Sequence, residues 1–529
     1  MALLSRVLCL SLVVWLLAYP CRAQVHAVDS MRSACATSPW VVPADFRVPD
    51  SLQKALSNPD VTNAHQILPS TSVMRERWNR LLHWRIGPSE RRWGFTLSPL
   101  GGAELGYDLR RSSTTHTLAY GGMLQAHWRN KLFFEGAWEQ QQVQLPIYQD
   151  SISRRWGILQ GRGIATANGK GWSGQSFQYL LTWAPNRFFS FSAGRGSTFI
   201  GEGQRSLLLS DNATPMRFFR IMTRVWKINY QSMFCLLQDI RGAGGDPALF
   251  GTKYASIHHL SWQVNKRLTL GIFEAIVFQN RNQNGGRGIG FDVNYLNPVL
   301  FFRPVEYSVG SPDNSLLGLY AGYSIGKHTR IYGQIMLDEF LLAEVRSGKG
   351  WVENKQAFQL GVKQHNLFGR NELSLQIEYN WVRPYTYYHK NGNQNYGHYN
   401  QSLAHPMGAN FSELMMRMWY KPKRSGITVV GTLQQVNVGL DTPGKSWGQN
   451  IFQPHFIRPN EYGNFVGQGL NTTLWLADFR GYLLLSSESR LSLFCGVTAR
   501  VETSKDFTKR DLWMVFGLRT FLWQTERFF

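Results

Sequence analysis

Two stretches hold the residues whose types and spacing could do chemistry. The first is GRGSTFIGEG, Gly194 to Gly203, running on into QRSLLLSDNATPMRFFR. Glycines at that density can wrap a phosphate with backbone N–H groups. A phosphate loop also needs Lys and a hydroxyl residue directly after its last glycine. Gly196 and Gly201 have the spacing, but Glu202 and Gly203 follow, and a carboxylate there repels phosphate. A dinucleotide fingerprint needs a helix next, and RSLLLSDNATP is too short and too rich in turn residues to be one. The stretch reads as a glycine-rich loop at the end of strands, with Arg195 and Arg205 beside it.

The second stretch is RPYTYYHKNGNQNYGHYNQSLAHPMGANF, residues 383–411. His389, His398 and His405 could be read as zinc ligands, but their spacing is loose and no cysteine or carboxylate lies among them. The alternative chemistry is carbohydrate recognition. Aromatic faces stack on sugar C–H groups, and amides share hydrogen bonds with hydroxyls. Tyr385, Tyr387, Tyr388, His389, Tyr396 and His398 are the candidates for it, set against the plainer reading of an ordered loop folded into a barrel mouth.

Catalysis finds less support. In LDEF, Leu337 to Phe340, two adjacent carboxylates face opposite ways on a strand, which is poor geometry for a two-carboxylate hydrolase. Ser210 and Asp211 have no histidine nearby in sequence. Nothing requires an enzyme, a cofactor or a metal.

The compartment narrows the choices further. MALLSRVLCLSLVVWLLAYPCRAQ has a basic start, a short apolar run and small residues near Ala23, the pattern of a secretory signal over 1–23. Pro20 before Cys21 argues against lipidation. Cys35, Cys235 and Cys495 remain; they are odd in number and unpaired in spacing, so neither a disulfide framework nor a metal site is expected. The net charge is +22. For an exported chain this points to anionic lipid or acidic polysaccharide rather than nucleic acid, or to arginines paired with carboxylates inside a barrel.

The elements that would position these residues have a period of two. In SFQYLLTW, Phe177, Tyr179, Leu181 and Trp183 share one face. In ELSLQIEYNW, Leu373, Leu375, Ile377, Tyr379 and Trp381 alternate with Ser374, Gln376, Glu378 and Asn380. LLGLYAGYSIGKHTRIYGQIML reads as a hairpin turning at Gly326-Lys327, and SRLSLFCGVTARVE with KRDLWMVFGLRTFLW as another near the C-terminus. With 14% aromatic residues and 50 glycines, the pattern suits an all-β fold: a large antiparallel transmembrane β-barrel of about 16 to 20 strands over 93–529. Phe529 ends the chain as an aromatic residue, out of phase with the apolar face of Leu512, Met514, Phe516 and Leu518. Residues 24–92 have helical spacing in SLQKALSN and SVMRERWNRLLHW and read as a short periplasmic or plug-forming segment.

Three segments taken together resemble the Wzi-type capsule-assembly barrels, most closely a Bacteroidetes branch that includes RemB-type proteins associated with gliding motility. They are GRGSTFIGEGQRSLLLSDNATPMRFFR, FDVNYLNPVLFFRPVEYSVGSPDNSLLGLY with YGQIMLDEF after it, and RPYTYYHKNGNQNYGHYNQSLAHPMGANFSE. The resemblance runs from about residue 90 to the C-terminus. It implies an outer-membrane barrel of about 18 strands, largely closed by inner loops and helices, with a non-catalytic role in keeping capsular or exopolysaccharide at the cell surface. Surface polysaccharide, outer-membrane lipid and other envelope proteins are the implied partners. A motility or secretion platform and an anion-preferring pore are the alternatives. Arg195, Arg205, Asp211, Arg303, Glu306 and Asp313 lie in the matching segments and are candidates for a charge network inside the barrel.

Overall fold

The computed structural model describes residues 93–279, 293–297 and 313–520, except 130, 340, 391, 423–425, 454 and 487–490. Of the chain before Trp93 it describes only Val42–Pro43, paired parallel to Thr198–Phe199, and Trp84–Ile86, paired with the first barrel strand. The helices expected in 24–92 and the terminal Phe529 lie outside the described residues.

Eighteen antiparallel strands close into a barrel. They are β1 Trp93–Asp108, β2 Ser113–Trp128, β3 Leu132–Gln144, β4 Gly171–Trp183, β5 Phe189–Gly196 and β6 Met216–Val225. Next come β7 Ile228–Asp239, β8 Gly251–Gln263, β9 Leu268–Phe278, β10 Asn314–Ile325, β11 Thr329–Leu337 and β12 Gln356–Gln364. The last are β13 Leu373–Val382, β14 Phe411–Tyr420, β15 Ile427–Leu440, β16 Leu470–Leu484, β17 Leu491–Ser504 and β18 Thr508–Thr520. β18 pairs with β1 and closes the wall, so no sheet edge is left open.

The strands form as their sequences predict, because each separates two environments. In β10 and β11, Leu317, Leu319, Ala321 and Tyr323 lie opposite Leu337, Ile335, Gly333 and Ile331. That face looks outward. Large apolar side chains stand uncovered along it: Leu360 is 62% exposed, Phe479 57% and Trp475 55%. An apolar belt of this extent is unstable in water and is the lipid-facing surface of a transmembrane barrel.

The connections sort by end. Segments 129–131, 184–188, 226–227, 264–267, 326–328, 365–372, 421–426 and 485–490 are short and lie at one end of the barrel. At the other end, 145–170, 197–215, 240–250, 279–313, 338–355, 383–410 and 441–469 are long, and only 109–112 and 505–507 are short. Short periplasmic turns and long extracellular loops are the usual division in such barrels.

Among the described residues, loops fill part of the inner face. The glycine-rich stretch folds into the lumen from the long-loop end. Leu207, Leu208 and Leu209 are wholly buried there, with Phe273 and Val277 of β9 and Tyr387 and Tyr396 of the 383–410 loop in the same cluster. Helix α1, Ile147–Trp156, closes another sector. The Asp108 carboxylate accepts the Ile147 N–H at 2.7 Å, which places a negative charge at the helix N-terminus where the backbone dipole favours it. The Asp150 carboxylate is held by Trp172 Nε1 at 2.8 Å and by Arg111 and Arg154.

Candidate functional site

Two buried carboxylates on neighbouring strands hold the plug. Glu378 of β13 accepts the backbone N–H groups of Gln204 at 2.6 Å and Arg205 at 3.0 Å, and the Tyr332 hydroxyl at 2.7 Å. Glu413 of β14 accepts from His405 Nε2 at 2.8 Å and Gln434 Nε2 at 2.5 Å. Asn380 Nδ2 bridges the two, at 3.1 Å to Glu378 and 2.7 Å to Glu413. One loop is thus latched to β13 and the other to β14 by the same polar cluster.

Glycine is needed at two places here. At Gly203 a Cβ would meet the Glu378 carboxylate at 2.4 Å, and at Gly361 it would meet the Tyr332 ring at 2.2 Å. The first lets the plug backbone reach the wall, and the second lets Tyr332 lie across its neighbour and reach Glu378. Strand glycines therefore make room for lumen side chains as well as for strand bending.

The tyrosine- and histidine-rich loop is part of this closure. Tyr387 and Tyr396 are wholly buried, with ring centroids 6.1 Å apart, and their hydroxyls donate to Leu207 O at 2.8 Å and Leu208 O at 2.9 Å. His398 is buried and its Nδ1 accepts the Gln238 N–H at 2.9 Å. Burial pushes this imidazole down to about 3, so it stays neutral. His389 is buried as well. All six candidate rings, Tyr385 and Tyr388 included, are buried against protein, which favours the reading of an ordered loop folded into the barrel mouth, where backbone acceptors draw in hydroxyl-bearing rings.

Tyr385 and Tyr388 pack with Val352 in a cluster separate from that of Tyr387 and Tyr396. Together with Val352, Glu353, Lys355, Ser446 and Arg458 they enclose a tight pocket at the long-loop end that leaves no room for a water molecule. Tyr385 and Tyr387 both have left-handed backbones, φ 66° and 70°, a strained conformation for aromatic residues. The bend sends Tyr387 to the lumen core and Tyr385 to the pocket, where its hydroxyl donates to Ser446 O at 2.8 Å. Burial holds both pocket phenols well above their usual range, so they remain O–H donors. Lys355 Nζ sits 3.0 Å from Glu353 and 3.2 Å from Glu339. Arg458 reaches Glu353 at 3.3 Å and Glu461 at 2.9 Å. Burial alone would lower the Lys355 ammonium, but Asp338, Glu339 and Glu353 together hold it above its ordinary value.

Around this pocket the 441–469 loop presents Phe456, 83% exposed, Phe465, 64%, and Tyr462, 46%. Backbone bonds knit the loop to 338–355: Val352 N–H to Glu461 O at 2.9 Å and Gly463 N–H to Lys349 O at 2.8 Å. Sequence reasoning missed this surface. HFIRPNEYGNFVG carried the signal, three aromatic residues between turn formers with no strand period to bury them.

The expected interior charge network is built from other residues. Arg195 faces outward, opposite Tyr179 and Arg217 in register. Its parity on β5 puts it on the outer wall near the long-loop end, which corrects the interior assignment. Arg205 is buried in the plug, and Asp211 is half-buried there. Asp313 accepts from Tyr295 at 2.5 Å and Gln394 at 2.6 Å. Arg303 and Glu306 lie outside the described residues. The lumen is instead lined by Arg519–Glu104 at 2.8 Å, Arg480–Asp478 at 3.0 Å, Arg500 with Glu502 and Asp511, and Arg162–Glu139 at 2.7 Å. Their polar positions in period-two strands were the available signal.

One latch group makes the closure pH-dependent. Asp338 is buried, and its Oδ2 accepts the Tyr387 N–H at 2.7 Å. Burial pushes this carboxyl up to about 7, aided by Glu339 and Glu353 and opposed by Lys355. A carboxyl raised above its unfolded value of about 3.9 favours the protonated folded state. Its contribution is fully present below about pH 4 and is lost as the pH rises through about 7. Asp338→Asn keeps an acceptor for Tyr387 and removes the titration. The expected result is a flatter urea-unfolding midpoint between about pH 4 and 8, with the variant more stable than wild type at the upper end.

No family model matches the chain, and no curated protein matches it. Among solved structures the chain is similar to Wzi of Escherichia coli, described as an outer-membrane protein involved in group 1 capsule assembly and a carbohydrate-binding β-barrel. The TM-score is 0.49 at 12% identity, covering 88% of this chain and 92% of that one. It is similar also to the outer-membrane protein OprD of Pseudomonas aeruginosa, with TM-score 0.44 at 8% identity over 80% of this chain and 93% of that one. A third, OccAB2 of Acinetobacter baumannii, has TM-score 0.44 at 9% identity over 80% and 97%.

Proposed function

We propose that this chain is a closed, non-catalytic outer-membrane barrel that holds surface polysaccharide, capsular or exopolysaccharide, at its long-loop end. The observation that carries the reading is the division of labour among the long loops. Two of them seal the lumen through Glu378 and Glu413. Two others, 338–355 and 441–469, are tied together by backbone hydrogen bonds and present exposed Phe456, Tyr462 and Phe465 beside the Arg458–Glu461 pair. Aromatic faces suit sugar C–H groups, and the charged groups suit hydroxyls and uronate-type acids. A solute pore fits less well, because the plug occupies the path that a solute would take.

The test is alanine at Phe456, Tyr462 and Phe465 together. These side chains are exposed, so the barrel folds. Cell-bound polysaccharide is expected to fall several-fold while total synthesis holds. An unchanged cell-bound fraction counts against the reading, and recovery of the barrel in large envelope complexes would then favour a motility or secretion platform.

A further inference from the structure

We propose that the short-turn end of the barrel is a ring that binds anionic phospholipid headgroups of the inner leaflet. The inference rests on the transmembrane reading and adds a partner at the end opposite the glycan surface. Each of the eight short turns holds at least one Lys or Arg in sequence. Arg129, Arg187, Lys227, Arg267, Lys327 and Lys421, one from each of six turns, are all exposed. Carboxylates are nearly excluded from these turns: Glu372 and Glu488 are the two present, whereas the single long loop 338–355 holds Asp338, Glu339, Glu344 and Glu353.

Aromatic rings stand directly beside the cations. Arg129 lies 5.9 Å from the Trp128 ring centroid, Arg187 4.7 Å from Phe188, and Lys227 5.2 Å from Trp226, which is 74% exposed. Trp128 and Trp183 end their strands at this level. Exposed aromatic rings at strand ends mark the depth of the lipid interface. Cations just beyond them stand at headgroup depth, where a negatively charged leaflet attracts Lys and Arg. The cations recur around the whole circumference instead of gathering in one patch. A soluble acidic partner would meet only part of such a ring, whereas annular lipid meets all of it.

The test uses the full chain, purified in a non-ionic detergent and given equal amounts of phosphatidylglycerol and phosphatidylethanolamine before native mass spectrometry. Retention of phosphatidylglycerol is expected to exceed that of phosphatidylethanolamine on the order of tenfold and to fall with added salt. In R187E/K227E/R267E/K327E the ratio drops to near one, while K349E/K445E, charge reversals at the long-loop end, keep the wild-type ratio. A gel shift on heating confirms that each variant is a folded barrel; a wild-type chain that does not fold would fail the transmembrane reading itself. A folded barrel with equal retention of the two lipids, or with a preference unchanged in the turn variant, overturns the proposal. So does an acidic soluble polymer that binds the ring in place of phosphatidylglycerol.

Discussion

Reconstituted into a planar bilayer, the intact barrel passes no steady current, and replacement of residues 198–214 by a short Gly-Ser linker opens a conducting path through the sector that this loop fills. The effect is expected to be a steady conductance where the intact protein has none, below that of an empty barrel because the 383–410 loop and α1 remain. Leu207, Leu208 and Leu209 are wholly buried against the inner faces of β9 and β10, and no smaller change removes that mass from the lumen. The strands on either side, β5 and β6, are hydrogen-bonded to each other along their length, so the wall survives loss of their connection. Once the plug is gone, the paired charges lining the lumen, Arg519–Glu104 and Arg480–Asp478 among them, face water, as in other polar-lined barrels. A steady conductance from the intact protein would return the pore reading to first place.

The second large effect is expected at Glu378. Glu378→Ala removes the acceptor shared by the Gln204 and Arg205 N–H groups and the Tyr332 hydroxyl. Each buried donor left without a partner costs about 1–3 kcal/mol, so for three donors a loss of roughly 3–9 kcal/mol is expected if none relaxes to another acceptor. The strand pairs of β13 stay intact, so the damage falls on the plug. Transient current bursts in bilayers and a lower urea midpoint are the two readouts. Glu378→Gln keeps one carbonyl acceptor and should lose about half as much. If the alanine variant matches wild type in both readouts, the latch does not hold the plug.

The wall was legible in the sequence and the plug was not, for physical reasons. Lipid on one side and a polar lumen on the other force apolar and polar side chains to alternate, so SFQYLLTW and ELSLQIEYNW announce their faces directly. The hairpin turning at Gly326-Lys327 follows from the same alternation. A loop carries no such period. Tyr387 in a buried lumen loop and Tyr462 on an exposed one look alike in sequence, because both sit among turn residues. What separates them is the set of backbone acceptors that the wall brings to Tyr387, including Leu207 O from a segment far away in the chain. The Leu207–Leu209 run inside a glycine-rich loop was the available hint, since three consecutive leucines rarely stand in water.

The net charge of +22 resolves in the same way. Lumen arginines such as Arg519, Arg500 and Arg480 lie beside carboxylates, while the turn cations stand exposed beyond the aromatic rings. Composition alone could not separate the two populations; strand parity and turn position do.

The central claim, that the sealed barrel keeps polysaccharide at the surface, is tested most directly by measuring cell-bound against shed polysaccharide in a deletion strain, with wild-type and F456A/Y462A/F465A chains restored. The account predicts that polysaccharide moves into the medium at unchanged total synthesis, returns to the cell with the wild-type chain, and stays shed with the triple variant. Cell-bound polysaccharide unchanged by the deletion would contradict it.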